Sequence, residues 1–441
     1  MISRARPPTL RLAGAGGWAP GTRSGSVAIS AAAYVLAVGL AVATGALVVR
    51  SPPAGVALVA AVGIGAAAFR LTRLGAVELL LGLLPWLVIF DGLLPSLVRT
   101  FATTAAAIAL LALCMPLRFH SGLGPLAAGL FVAVVLGHAI FATESAQYTQ
   151  VAKYMIFPAV SLAVLSERGQ EMLPHARNLV LGSCLAALTV HLGIIAAGLG
   201  QTGTKYEIGE KLGFGRGIVH EMTLTFVVVA AAGLVSSRRV PVQLAFFALG
   251  VVPALLTGVR SALLALVVVI LIYCIRARFD RRAVTIVVVL VLVAFASGGA
   301  KIVAERFAKE SKSETSLASV GSERGAIWTV AVTPWWNAGP PQWLFGTGLG
   351  SVEAAEIRAL GTPFFGHSDL IEVGVTFGLV GIFSWALLWF ALLRSPLESI
   401  VLVPLIVYAL VNGSMLYVAP LTLGLVFSAA CRAPPEEEAA R

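Results

Sequence analysis

The sequence predicts an all-α, polytopic transmembrane bundle, and three observations predict it. Hydrophobic residues make up 58% of the 441 and charged residues only 12%, about half the charged share of an ordinary soluble domain. Apolar stretches near the length that spans hydrocarbon, about 20 residues, recur from Val27 to Cys431. Polar residues collect in short links and in one long stretch, 301–366. With so few charges a soluble fold of this size could not cover its surface. A soluble enzyme, a disordered chain and a single-anchor receptor are excluded on that ground.

In order, the apolar segments predict helices at 27–48, 54–69, 74–90, 101–117, 124–142, 148–165, 178–199, 217–235, 242–257, 261–275, 283–299, 368–393, 397–412 and 416–431. Several are short, so the expected number of crossings is about 12–14. Five regions follow. Residues 1–26 form a basic tail and 27–300 a bundle of about eleven spans. Residues 301–366 form one large loop with interfacial helices, 367–431 the last spans, and 432–441 a polar tail. The run at 27–48 exceeds the core of a signal peptide, so an uncleaved first span is expected.

Charge orients the bundle. Lys and Arg number 31 against 21 Asp and Glu, a net +10. In a membrane protein this reads as a topological bias rather than nucleic-acid binding. With the N-terminus inside, eighteen arginines fall in inner segments, "RARFDRR" at 276–282 among them. Seven Lys or Arg fall in the short outer links. Residues 301–366 then lie outside. The four cysteines (Cys114, Cys184, Cys274, Cys431) sit in or beside apolar runs without a CxxC spacing, so neither a disulfide framework nor a zinc site is expected.

Within 301–366, "KIVAERFAKESKSE" has the spacing of an amphipathic interfacial helix. Four of the eight tryptophans follow: Trp328, Trp335, Trp336 and Trp343. An aromatic belt at the headgroups explains them; so does stacking on sugar rings. "GTGLGS" at 346–351 resembles a phosphate-cradling loop only superficially. It lacks the Lys-Ser/Thr of a P-loop and does not join a strand to a helix.

Ionisable groups at the ends of spans are costly and tend to be functional. Arg216, His220 and Glu221 open the span at 217–235 in "GFGRGIVHE". Arg260 sits in a tight turn between two spans, in "LLTGVRSALLALV". His367, Asp369 and Glu372 open the span at 368–393 in "FFGHSDLIEVGVTFGLVG". Arg260 and Arg216 either snorkel to headgroups or grip phosphate oxygens with their planar forks of donors. His367 is either a hydrogen-bonded structural residue or a general base. Asp369 and Glu372 share a helix face and either orient His367 or bind an acceptor. The chain has no DxD, so a metal-dependent sugar transfer is weakly supported. His138 and His191 read as packed structural residues, and Glu78 as a buried carboxylate with no assigned role.

The segments "GFGRGIVHEMTLTFVVVA", "LLTGVRSALLALV" and "ERGAIWTVAVTPWWNAGPPQWLFGTGLG…FFGHSDLIEVGVTFGLVGI" occur in that order over 216–382. In this the chain resembles the O-antigen ligase and O-antigen/exopolysaccharide polymerase superfamily of bacterial inner-membrane proteins. The resemblance lies in the arginine-bearing segments, the Arg-then-Trp stretch, the GxGxG turn and the H-S-x-L-x-E-x-G entry to a span. The departure is His220, where many members carry Pro-Asn. The resemblance implies a membrane glycosyltransferase of the C-type architecture, with a periplasmic active face. Its donor would be an oligosaccharide on undecaprenyl diphosphate, and its acceptor a glycan or lipid hydroxyl. Neither cofactor nor metal is implied. Membrane lipids and other envelope polysaccharide-assembly proteins are the implied surroundings. On this reading Arg216 and Arg260 hold the diphosphate, and His367 is the base or positions the acceptor. Arg324, His220, Asp369 and Glu372 complete the substrate site. A polytopic transporter or lipid-linked glycan flippase is the rival reading, and a structural scaffold the third.

Overall fold

The computed structural model describes residues 76–90, 96–115, 117–196, 219–236, 240–257, 259–278, scattered positions between 281 and 292, 324–361, 368–415 and 417–432. Contacts divide the chain into 1–58 and 59–441, and every described residue lies in the second unit. The expected spans at 27–48 and 54–69, and the amphipathic stretch at 301–314, lie outside the described residues, as does most of 283–299.

Every described element is a helix. In chain order these are α1 (Ala76–Ile89), α2 (Ser96–Leu113), α3 (Leu123–Ala139), α4 (Ser145–Leu165), α5 (Glu167–His175) and α6 (Arg177–Ala196). Then come α7 (Val219–Ser236), α8 (Val240–Thr257), α9 (Arg260–Arg276), α10 (Arg324–Asn337), α11 (Pro340–Phe345) and α12 (Ser351–Leu360). The last three are α13 (Asp369–Arg394), α14 (Ser399–Val411) and α15 (Val418–Ala430). Eleven of the fourteen predicted apolar segments coincide with one of these helices.

Among the described residues, three helices are long and apolar enough to cross a membrane: Ala146–Leu165, Val219–Ser236 and Asp369–Arg394. α5 and α6 together pass the same test but bend by 58° at their junction. Some other apolar helices are shorter, such as the 13-residue α14 and α15. α5 falls in a stretch read from sequence as an inner link. It forms because Ser166 caps it, its Oγ accepting from the Gly169 N–H at 3.0 Å.

α7 and α15 lie at the centre. All of α7 except His220 and Val235 is buried, and so is every residue of α15. A helix surrounded on all sides needs no polar face. α7 packs most extensively on α8 and also meets α9, α14 and α15. Between apolar helices in lipid, close van der Waals fit replaces the hydrophobic drive, and small residues permit it. A Cβ on Gly233 would stand 2.5 Å from the Phe246 Cβ. One on Gly250 would stand 2.5 Å from the Phe226 carbonyl oxygen and 2.7 Å from the Ala230 nitrogen. These crossings make α7 and α8 antiparallel and set Thr257, the end of α8, level with the first turn of α7.

The two ends of the bundle differ in charge. At one end the Arg276 guanidinium donates to Glu398 Oε1 and Ser399 Oγ. Glu398 in turn donates its N–H to the Ser428 carbonyl at 2.7 Å. Arg168 donates to the Met115 carbonyl at 2.7 Å, and Arg432 to Gln170 Oε1 at 3.3 Å. All three arginines were assigned to the inner side on charge. The opposite end carries the starts of α7, α9 and α13.

Gly250→Ala is expected to cost about 1–3 kcal/mol by overpacking, read as earlier thermal unfolding in detergent. Gly129→Ala on α3 meets nothing within 4 Å. It should instead be neutral or gain up to about 1 kcal/mol of helix propensity.

Candidate functional site

The site is built where helices begin. α13 opens with Ser368 as its cap, the Ser368 Oγ accepting from Ile371 N at 3.5 Å and its carbonyl from Glu372 N at 2.9 Å. Asp369 is 1% exposed, and its carboxylate faces the link between α14 and α15. It accepts from Ser414 N at 2.8 Å, Ser414 Oγ at 2.7 Å and Met415 N at 2.9 Å. Each donor is charge-assisted, so the start of α13 is tied firmly to that link.

One turn further on, Glu372 accepts from the Tyr154 hydroxyl at 3.2 Å. Its second oxygen is buried and has no hydrogen-bond partner. Glu356 of α12, fully buried, is its strongest carboxylate neighbour, with Asp369 and Glu353 also in electrostatic reach. Tyr154 itself packs edge-on against Phe377 at 5.0 Å.

α13 breaks in its middle. Gly378 has φ 68° and ψ −163°, outside the helical region, so the helical ladder is interrupted there. The "GTGLG" stretch supplies donors at that break. Thr347 N and Oγ donate to the Val375 carbonyl at 2.8 and 2.9 Å, and Gly348 N to the Thr376 carbonyl at 3.1 Å. The approach demands glycine on both sides. A Cβ on Gly346 would lie 2.2 Å from the Thr376 oxygen, and one on Gly378 would lie 2.4 Å from the Leu344 carbonyl carbon.

α3 and α4 clamp the same loop. Gln147 Nε2 donates to the Leu349 carbonyl at 3.1 Å, and Gly350 N donates to Gln150 Oε1 at 3.0 Å. The ring nitrogens of His138 face the carbonyls of Val134 at 2.9 Å and Phe345 at 2.6 Å. The N–H groups of Thr347, Gly348 and Gly350 are therefore spent on protein oxygens. With those bonds made, these N–H groups are not available to a phosphate.

Arg260 is the first residue of α9, half-buried, followed by buried Ser261. His220 is the second residue of α7 and half-buried, with Glu221 buried behind it. The α7–α8 register puts Arg260, three residues past Thr257, at the level of His220 and Glu221. The Arg276–Glu398 pair joins the end of α9 to the start of α14, so those helices also run antiparallel. The start of α9 therefore points to the end of α14, where Ser414 and Met415 hold Asp369. His220, Arg260, Asp369 and Glu372 are thus gathered at one end of the bundle, around α14, which packs on α7, α9 and α13.

Arg216 and His367 lie outside the described residues. Arg324 is the first residue of α10, and only its backbone is described. Glu78 is half-buried in the first turn of α1, and His191 is fully buried with Phe90 edge-on at 5.9 Å. Tyr154, Glu356, Ser414 and the Gly346–Gly378 contact were not identified from sequence. Of these only the glycines left a signal, as "GTGLG" and as a glycine inside the apolar run "VTFGLVG".

Gly378→Ala should release the loop at a cost of about 3 kcal/mol or more, because positive φ and a backbone clash act together. Faster proteolytic cleavage between residues 338 and 350 reads this out. Gly348→Ala meets open space and should pay only for its backbone angle, about 1–2 kcal/mol.

The sequence profile described as O-antigen ligase matches residues 244–386. That stretch runs from α8 through α9, α10, α11 and α12 into α13, so it contains Arg260, the glycine loop, Asp369, Glu372 and the break at Gly378. No curated protein sequence matches the chain at a significant level. Residues 244–386 of this helical membrane protein are thus similar to the O-antigen ligase domain, and the match supports the resemblance to O-antigen ligases and polymerases.

Proposed function

We propose that the protein transfers a glycan from undecaprenyl diphosphate to a hydroxyl acceptor, without metal and with inversion, at the end of the bundle where α7, α9 and α13 begin. One observation carries this reading: the antiparallel registers bring the starts of α9 and α13 to the same end, so a guanidinium and a pair of carboxylates from distant sequence share it.

A lipid diphosphate is already a good leaving group. Arg260 opens a helix, so its fixed charge adds to the positive end of the α9 dipole, and both favour a phosphate. With Arg216 and Arg324 it would neutralise the charge that develops on the departing diphosphate. His367 would take the acceptor proton as the acceptor oxygen bonds to the anomeric carbon and the bond from that carbon to the phosphate oxygen breaks. The bonding electrons leave with the lipid diphosphate. Glu372 has an oxygen left to accept a hydrogen bond from an acceptor hydroxyl. Asp369, with its lone pairs committed to Ser414 and Met415, is a positioning residue two places after His367. His220, at the level of Arg260, would complete the donor side. The active end would face the periplasm from the inner membrane.

Purified protein supplied with lipid-diphosphate glycan and acceptor should turn over in EDTA and invert the anomeric configuration. Arg260→Lys should lose about a hundredfold in rate, because a point charge does not replace a planar fork. A strict Mg²⁺ requirement, or full activity of the lysine variant, would remove the diphosphate clamp. In cells lacking the protein, single repeat units on surface lipid indicate a polymerase, and full-length chains stranded on the carrier indicate a ligase. Movement of the lipid-linked glycan across vesicles without transfer would instead mark a flippase.

A further inference from the structure

The outer face of α10 carries a groove of about 520 Å³, lined among others by Trp328, Thr329, Thr333, Trp336 and Asn337. Its floor is rigid. Trp336 is 63% exposed yet stacks on Trp343, with centroids 5.5 Å apart and planes at 28°. The Trp343 indole N–H donates to the Trp336 carbonyl at 2.6 Å, and that of Trp335 to the Gln342 carbonyl at 2.7 Å. The Trp335 and Trp343 indoles thus spend their N–H groups inside the protein, and the exposed Trp336 ring lies against that of Trp343. Hydroxyl and amide groups from Thr329, Thr333 and Asn337 stand along the same helix face.

We propose that this groove is a glycan subsite, in which Trp336 stacked on Trp343 receives the C–H face of a pyranose and the Thr and Asn side chains meet its hydroxyls. The proposal rests on the glycan-transfer reading above and adds where the chain of sugars lies. Charge decides between occupants. From Gly325 to Phe345 the sequence has no charged residue, Arg324 standing only at the helix start, which suits a neutral saccharide along the groove. Interfacial tryptophans use their N–H groups toward headgroups, and here two are turned inward.

Position agrees. The opposite face of α10 packs Ala331 and Trp335 against Val352, Ile371 and Val375. The groove is therefore about one helix diameter, ~10 Å, from the first turns of α13.

The test is saccharide binding by the full-length protein in detergent, followed by tryptophan fluorescence and saturation-transfer NMR. The probe is oligosaccharide released by mild acid from the lipid-linked glycan of the producing cells. Binding should weaken about tenfold in Trp336→Ala, recover in Trp336→Phe, and persist in His367→Ala, which tests the reaction and not the groove. Equal binding by wild type and Trp336→Ala would overturn the subsite while leaving glycan transfer standing if the wild type is active. Saccharide binding that depends on Trp336, in a protein that transfers nothing, would keep the subsite and sink the transfer reading. A fluorescence change with phosphatidylglycerol vesicles that needs Trp336, without any saccharide response, would assign the face to the bilayer and overturn the proposal.

Discussion

The break in α13 is the constraint from which the rest of this end of the molecule follows. A helix that stops at Phe377 and resumes past Gly378 leaves carbonyls without their usual donors. Inside an apolar bundle each such group costs several kcal/mol unless protein satisfies it. Thr347 and Gly348 satisfy Val375 and Thr376, which forces the 346–350 loop against the break. That contact in turn fixes how α10, α11 and α12 sit on α13. α11 packs on α13 almost as extensively as α4 packs on α3, although it has only six residues. A short helix gains such contact because glycines on both sides remove the side chains that would hold it off.

From this anchor the polar contacts form one connected set. His138, Gln147 and Gln150 bind the glycine loop from α3 and α4. Tyr154, one turn deeper in α4, binds Glu372, and Asp369 binds the link before α15. Phe377 lies at the junction, edge-on to His138, Tyr154 and Phe131. The start of α13 is consequently held from three directions, by α4, by α12 and by the 412–415 link.

Much of the fold was legible because hydrophobic length and arginine placement are one-dimensional signals. The apolar runs at 74–90, 217–235 and 368–393 became helices with ends displaced by a few residues. Arg168, Arg276 and Arg432, grouped by charge count alone, do gather at one end. Ser166 as a cap and α5 behind it were missed, because a nine-residue helix in a polar link has no long apolar run. The site was less legible. Asp369 and Glu372 stand out as acids at the mouth of a span, but their partners Ser414, Met415, Tyr154 and Glu356 are bland in sequence and meet them only through packing. The glycine loop was read as lacking the marks of a nucleotide site, and the structure gives it another partner, a backbone break some thirty residues on. Nothing local in "GTGLG" points to it.

The helix starts also divide this end by sign. Carboxylates in a first turn complement the helix dipole, and Glu221, Asp369 and Glu372 do so in α7 and α13. Each such placement favours its helix by about 0.3–1 kcal/mol. Arg260 does the opposite in α9, opposing the dipole by a similar amount. A guanidinium kept where its own helix disfavours it makes the α9 corner attractive to an anion. The α13 corner, where Glu356 adds a third buried acid, repels one and suits hydroxyl donors. A diphosphate leaving group and an alcohol nucleophile need two such neighbouring environments of opposite sign. Helix direction gives both corners a positive N-terminus, so the contrast is made by the side chains alone: Arg260 adds to that charge, and Asp369, Glu372 and Glu356 oppose it.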